Sequence, residues 1–436
     1  MSENQLGSPL MFRQDEAEPY GRSVAWWMFF CLGNSVLAPW NAFCTAIDYF
    51  MAKYPSINPF YFGILYNGPQ FLGLLLFATV LNGVLSQDLR IIGSLVIYIV
   101  VIVNLPLLPD YHIDSSAQMT IIYGCVLLCG MGTCFLQGSI LAMAAKFPVS
   151  HTSAVAIGAA SGGTIIGSFR LITKATLSTS DKTDSTGPTV YFACAAFLVF
   201  VAGVCYLVLK KLPFSQQYLS SSEPSQPYPE DPEKHHASFQ GRRLYAESKV
   251  AKAWRVLKSL NTVGPSLFSV FFVTLSLFPG VISSLGNKQK QTKDLMSESW
   301  FTEINIFIYL LGDQLGRTTV GLGKFPTKRY IWIPCSMRFL FFLTFWLAGA
   351  GIIQNDYFDF GMVLLFAFTN GYLANLCMMY APSCVEKADK EIGGIVITSC
   401  LVGGLAFGSA CAVPLQYWHG NTTAANATSY YLPGYF

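Results

Sequence analysis

The sequence predicts an all-α polytopic membrane protein, on three observations. First, of 436 residues 53% are hydrophobic and only 12% are charged, whereas a soluble domain carries about a quarter charged residues. Second, apolar runs of the ~20 residues that a bilayer span requires recur along the whole chain. Third, several of these runs contain isolated polar or ionisable residues. Lipid supplies such groups with no partner, so they face a bundle interior or a watery cavity. The mean hydropathy of +0.44 is too high for a globular enzyme on a single anchor. The net charge of +3 is too small for a nucleic-acid surface.

About eleven segments fit a span. Val24–Phe50 is interrupted by Pro39-Trp40-Asn41 and carries Asp48. Tyr61–Leu85 carries Asn67, Pro69 and Gln70; Ile91–Leu108 is almost wholly apolar. Gln118–Ala145 holds Gln137-Gly138-Ser139. Thr152–Thr173 holds Gly158, Gly162, Gly163 and Gly167, the small-residue spacing that lets helix backbones approach, and also Arg170. Thr189–Leu209 closes a first group. Gly264–Leu285 contains Phe278-Pro279, and Phe301–Gly321, the least hydrophobic, contains Asp313 and Arg317. Ile331–Ile353 carries Arg338, and Phe358–Ala381 follows it. Gly393–Tyr417 ends the series with Gly404 and Gly408.

Between the sixth and seventh segments, Pro213–Gly241 is rich in Ser, Pro, Gln and Glu and reads as a disordered linker. The expected organisation is a tail (1–23), a six-helix bundle (24–209), a partly disordered linker (210–263), a five-helix bundle (264–417) and a second tail (418–436). Two bundles about a midplane site is a transporter layout.

Basic residues set the orientation. Lys210, Lys211, Arg242, Arg243, Lys249, Lys252, Arg255 and Lys258 follow the sixth segment, and Lys324, Lys328 and Arg329 follow the eighth. They place the linker and the N-terminus in the cytosol. An odd number of spans puts the C-terminus outside, where Asn421-Thr422-Thr423 and Asn426-Ala427-Thr428 are N-glycosylation sequons. No removable signal peptide is apparent, and the first helix is expected to act as its own signal anchor.

The twelve cysteines lie in or beside apolar segments without a CxxC pair, so they read as small buried hydrophobes. The five histidines fall in expected loops or tails, away from membrane depth, which argues against an intramembrane enzyme. No cofactor or metal site is expected. The chain has no Walker-type phosphate loop, so hydrolysis-driven pumping is not expected either.

Asp313 and Arg317 are four apart and share one helix face. An acceptor beside a planar donor fork can grip a hydroxyl-rich solute; the alternative is an ion pair that only fixes helix packing. Gln137 donates and accepts at once, so it can match a nucleobase edge or make an interhelical bond. Asn67 and Gln70 share a face and either line a cavity or bond between helices. Trp40, Phe278, Phe368 and Tyr372 sit beside polar or helix-breaking residues and are candidates for stacking a flat ring. Asp48, Arg170 and Arg338 are charges at membrane depth suited to gating. Each arginine is expected to pair with Asp48 or with a backbone carbonyl.

These motifs bear a family resemblance. Pro39-Trp40-Asn41 with Thr45-Ala46 and Tyr49-Phe50 resembles the first-helix signature of the equilibrative nucleoside transporters. Leu136-Gln137-Gly138-Ser139, Phe278-Pro279, Asp313 with Leu315-Gly316-Arg317, and Phe366-Ala367-Phe368-Thr369-Asn370-Gly371-Tyr372-Leu373 are similar to its later motifs. The resemblance implies eleven helices in a major-facilitator-like arrangement of six and five. It implies that Asp313 and Arg317 hold ribose hydroxyls and that Gln137 contacts the base. Trp40, Asn41 and Phe278 would line the central cavity, and Leu405 would close one side. Gly158 and Gly163 match helix-five glycines associated with transport and inhibitor sensitivity. Asn67 and Gln70 stand where the animal pattern has apolar residues and point to a more polar cavity; Leu310 stands where it has an asparagine, and Thr133 where it has a glycine. The expected function is facilitative transport of nucleosides such as adenosine, uridine or inosine, and of free nucleobases, by alternating access. Proton-coupled uptake is the alternative. The expected setting is the plasma membrane, or an internal membrane as the alternative, with no obligate protein partner.

Overall fold

The computed structural model describes residues 11–46, 49–50, 53–54, 56–57, 60–76, 85–176, 186–220, 249–283, 298–350, 352–353 and 355–430. Their regular structure is entirely helical. In chain order the helices are α1 (Met11–Val36), α2 (Ala38–Thr45), α3 (Phe60–Leu76), α4 (Gln87–Asn104), α5 (Ser115–Ala144), α6 (Val149–Thr176), α7 (Thr186–Lys211) and α8 (Pro213–Ser220). After the linker come α9 (Lys249–Ser259), α10 (Val263–Leu277), α11 (Gly280–Ser283), α12 (Glu298–Thr319), α13 (Trp332–Met337), α14 (Leu340–Gly349), α15 (Asp356–Tyr380) and α16 (Lys390–Tyr430).

Local chemistry fixes the ends of these helices. Pro39 has no N–H to give the Ser35 carbonyl, so α1 stops at Val36 and α2 restarts with that proline in its first turn. The carboxylate of Asp114 accepts from the Ser116 amide at 3.0 Å and opens α5. Asn355 accepts from the Tyr357 amide at 2.9 Å and opens α15. Each cap satisfies an amide that the helix itself leaves unpaired. Pro279 forces the residue before it out of helical geometry, so α10 ends at Leu277 and Phe278 is extended.

Among the described residues, eight helical stretches are long and apolar enough to cross a membrane. The described residues of the other three expected segments are mainly helical as well. The first is broken at Leu37, α3 has 17 described residues, and α12 carries Glu298, Glu303, Asp313 and Arg317. Apolar side chains stay exposed in stripes on the perimeter: Val96, Val100 and Val103 on α4, Phe197, Phe200, Val204 and Leu207 on α7. Their spacing of three and four gives each helix one lipid-suited face.

Small residues set the closest crossings. A β-carbon on Gly158 of α6 would lie 2.1 Å from the Phe30 carbonyl oxygen of α1. Gly316 of α12 and Gly371 of α15 face each other's backbones in the same way, 2.1 Å from Phe368 O and 2.0 Å from Asp313 O. This pair brings two polar stripes together, as described below.

Three expectations need correction. His151 is not in a loop: α6 begins at Val149, just after Pro148, so His151 lies in its first turn. It is fully buried, with its ring stacked on Phe214. Residues 213–220, assigned to the disordered linker, form α8, because Phe214 and Tyr218 have Phe147 and His151 to pack against. The last helix runs to Tyr430, past the expected end at Tyr417. All twelve cysteines are free and none is exposed.

Candidate functional site

A cavity of about 110 Å³ lies between helices that precede the linker and helices that follow it. That is several times the ~10–15 Å³ one water needs by the same measure. The break at Leu37 turns Trp40 and Asn41 into it from α2; α3 contributes Asn67 and Gln70, and α5 contributes Gln137. From the other side come Phe278 after α10, Asp313 and Arg317 on α12, and Leu405 on α16. All nine candidate binding residues therefore line one cavity, although they are spread over more than 360 positions of sequence.

Asp313 is the centre of its polar wall. Its Oδ2 accepts from Arg317 Nε at 2.9 Å, and its Oδ1 accepts from Asn370 Nδ2 at 2.6 Å. Both members of the ion pair are buried. Arg317 Nη1 also donates to the Ala156 carbonyl of α6 at 3.2 Å, reaching across to a helix from before the linker. The close approach of Gly316 and Gly371 puts α12 and α15 near enough for these bonds. It also lets Asn375 donate to Arg317 O at 2.7 Å and to Ser153 Oγ at 2.9 Å.

The network extends further. Thr274 Oγ lies 2.7 Å from Asn370 Oδ1 and accepts from Arg338 Nη2 at 2.9 Å. Arg338 Nη1 donates to the Phe366 carbonyl at 2.9 Å and to the Thr369 hydroxyl at 2.5 Å. A chain of hydrogen bonds thus joins Arg338 through Thr274, Asn370 and Asp313 to Arg317. The expected carbonyl partner of Arg338 is the one on Phe366.

The opposite wall is built of amides. Gln70 Nε2 donates to Gln137 Oε1 at 2.8 Å, and Gln70 Oε1 is a buried acceptor without a partner. The Asn67 amide donates to Gly63 O at 2.9 Å and to Ser409 Oγ at 3.3 Å. The remaining surface is apolar, aliphatic and aromatic: Trp40 lies 5.1 Å from Tyr66, and Phe278 stacks on Tyr309 at 3.8 Å with 12° between the planes. Hydroxyls, a charged fork, amide edges and flat rings therefore converge on one small volume. That set suits a solute with both a polyol part and a flat heteroaromatic part.

Other candidates lie elsewhere. Phe368 and Tyr372 stack on each other rather than in the cavity, because two residues to either side of Asn370 point away from its face. Tyr372 instead holds the loop after α12, with its hydroxyl 2.7 Å from Phe325 O. Arg170 pairs with the carboxylate of Glu303 on α12 at 2.8 Å, a partner the sequence reading did not name, and Lys174 approaches the same carboxylate at 3.5 Å. Gly158 packs on α1. Gly163 touches the cavity, where an added β-carbon would sit 3.0 Å from Asn41 Nδ2. Asp48 lies outside the described residues, as do the side chains of Asn421 and Asn426.

Sequence reasoning missed Thr274, Tyr309 and Asn370 as cavity residues. Two signals were present: Thr274 is one turn before Phe278, and Tyr309 is one turn before Asp313. Asn370 stood inside a quoted motif, but its partner is set by a helix crossing that one sequence does not display.

A bundle of apolar helices around a central cavity with a few convergent polar groups is the layout of a membrane transporter. Residues 123–417 match the family described as "Nucleoside transporter", and the chain belongs to that family. It is 27% identical to equilibrative nucleotide transporter 8 of Arabidopsis thaliana, over 88% of this chain and 93% of that protein. It is also 27% identical to equilibrative nucleoside transporter 1 of Homo sapiens, over 90% of this chain and 97% of that protein. Its fold is similar to that of XylE, a proton:xylose symporter of the major facilitator superfamily. The TM-score is 0.56 at 12% identity, covering 96% of both chains.

Proposed function

We propose that this chain carries nucleosides, and free nucleobases, down their gradients by alternating access about the central cavity. The observation that carries the reading is the convergence of the nine residues on one cavity in a member of the nucleoside transporter family. In this reading Asp313 and Arg317 hold the ribose hydroxyls. Gln137 and Gln70 meet the base edge, with the open Gln70 acceptor available to a base N–H. Trp40, Asn41, Asn67 and Phe278 line the site, and Leu405 closes one side.

The proposed carrier has eleven spans, six before the linker and five after it. The basic residues around the linker support a cytosolic N-terminus and an extracellular C-terminus. The two groups rock against each other along α6 and α12. At one end of that seam Glu303 joins Arg170 and Lys174; at mid-depth Arg317 reaches Ala156. Gly163, with Leu310 of α12 close by, keeps the seam narrow, and Gly158 holds α6 against α1. The plasma membrane is the proposed site of action.

Counterflow tests the carrier mechanism. Proteoliposomes preloaded with unlabelled uridine should transiently accumulate labelled uridine above its outside concentration. A channel-like protein would equilibrate the label without overshoot, and that result would defeat the proposal.

A further inference from the structure

We propose that α9 is a membrane-surface helix whose exposed side docks on the headgroup layer of a bilayer carrying anionic phospholipid. The helix precedes α10, a membrane span, by three residues, so it lies at the membrane boundary whichever side that is. One of its sides is committed to the protein. Val256 and Leu260 are buried, and Arg255 and Lys252 bind the Asp389 carboxylate at the foot of α16, at 2.7 and 3.1 Å.

The other side is apolar too, yet no described residue covers it. Val250 and Trp254 are each 58% exposed and one turn apart. A soluble surface helix has no reason to present a tryptophan and a valine to water. A helix at a bilayer boundary does, because tryptophan is favoured at headgroup level.

The charge pattern selects the lipid. Lys258 continues the Val250–Trp254 line one turn on, with its ammonium 5.5 Å from the centroid of the Trp254 ring, a cation–π contact. Beside it, Arg255 and Lys252 share the single Asp389 carboxylate, which leaves a net positive charge on this end of the helix. Cations beside an interfacial apolar stripe attract anionic headgroups. A soluble protein that wraps a basic helix is disfavoured here, since the Val256–Leu260 side is already packed and pinned by Asp389.

The test is bromolipid quenching of tryptophan emission in proteoliposomes of the full chain. Subtracting the Trp254→Phe variant isolates Trp254 from the other seven tryptophans. Brominated phosphatidylserine, diluted in phosphatidylcholine, should quench the Trp254 component at least about twofold more than brominated phosphatidylcholine at the same fraction. That preference should fall in Lys258→Gln, an exposed position where folding is not at risk. Equal quenching by both lipids, no quenching by either, or a preference untouched by Lys258→Gln would each overturn the proposal. The readout needs no transport activity, so it stands or falls apart from the proposed substrate.

Discussion

The ion pair at the centre of the cavity can be tested as a pair. Asp313→Asn keeps the shape of the side chain and removes its charge. Arg317, buried and 2.9 Å away, is then left without a counter-charge. Breaking a buried pair by removing one partner costs about 3–5 kcal/mol, and Arg317→Gln should cost a similar amount from the other side. In the double variant neither charge is stranded, so its cost should fall short of the sum by about 0.5–3 kcal/mol. Flux should behave differently. Losing one member of a buried charged site costs at least about 2 kcal/mol, or about thirtyfold, and the double variant should transport no better than the singles. The assay is unfolding of purified protein in detergent beside uridine flux in proteoliposomes, with surface expression as control. Strictly additive stabilities would refute the coupling. Restored flux in the double variant would show that the pair only packs α12 and does not hold solute.

Gln137→Ala should change the ranking of adenosine, uridine and inosine as competitors more than it changes dependence on the ribose hydroxyls. An unchanged ranking in uptake competition would count against its place at the base. Gly158→Ala places a carbon 2.1 Å from the Phe30 carbonyl and should destabilise the protein by about 1–3 kcal/mol. Gly124→Ala, with nothing within 4 Å, should be neutral or slightly stabilising by about 0.5–1 kcal/mol through helix propensity; thermal unfolding compares the two directly. Arg338→Lys keeps the charge but cannot span Phe366 O, Thr369 and Thr274 together. It should lower stability by about 1.5–3 kcal/mol, measured in the same unfolding experiment.

Much of the site was legible in the sequence because polar residues stand out within apolar runs. Pro39, Asn41, Gln70, Gln137, Asp313 and Arg317 all broke the pattern expected of lipid-facing helix. Pairings between distant helices were not legible. Glu303 and Arg170 are 133 positions apart, and only the packing of α6 on α12 brings them together. Asn370 became a partner of Asp313 through the Gly316–Gly371 crossing. Phe368 and Tyr372 misled for the converse reason: they flank Asn370 in sequence but point to the other side of α15. His151 was placed in a loop because a few residues at a helix start decide whether a side chain faces water or a ring of aromatics. The short α8 escaped notice because Phe214 and Tyr218 gain partners from distant α1, from α6 and from the residues just before it.

The measurement that bears most directly on the central claim is uridine and adenosine uptake by the purified chain in proteoliposomes, with and without an inward proton gradient. The account predicts saturable uptake of both that stops at equal concentrations and does not depend on the gradient. Uptake only with the gradient, or no saturable uptake at all, would contradict it.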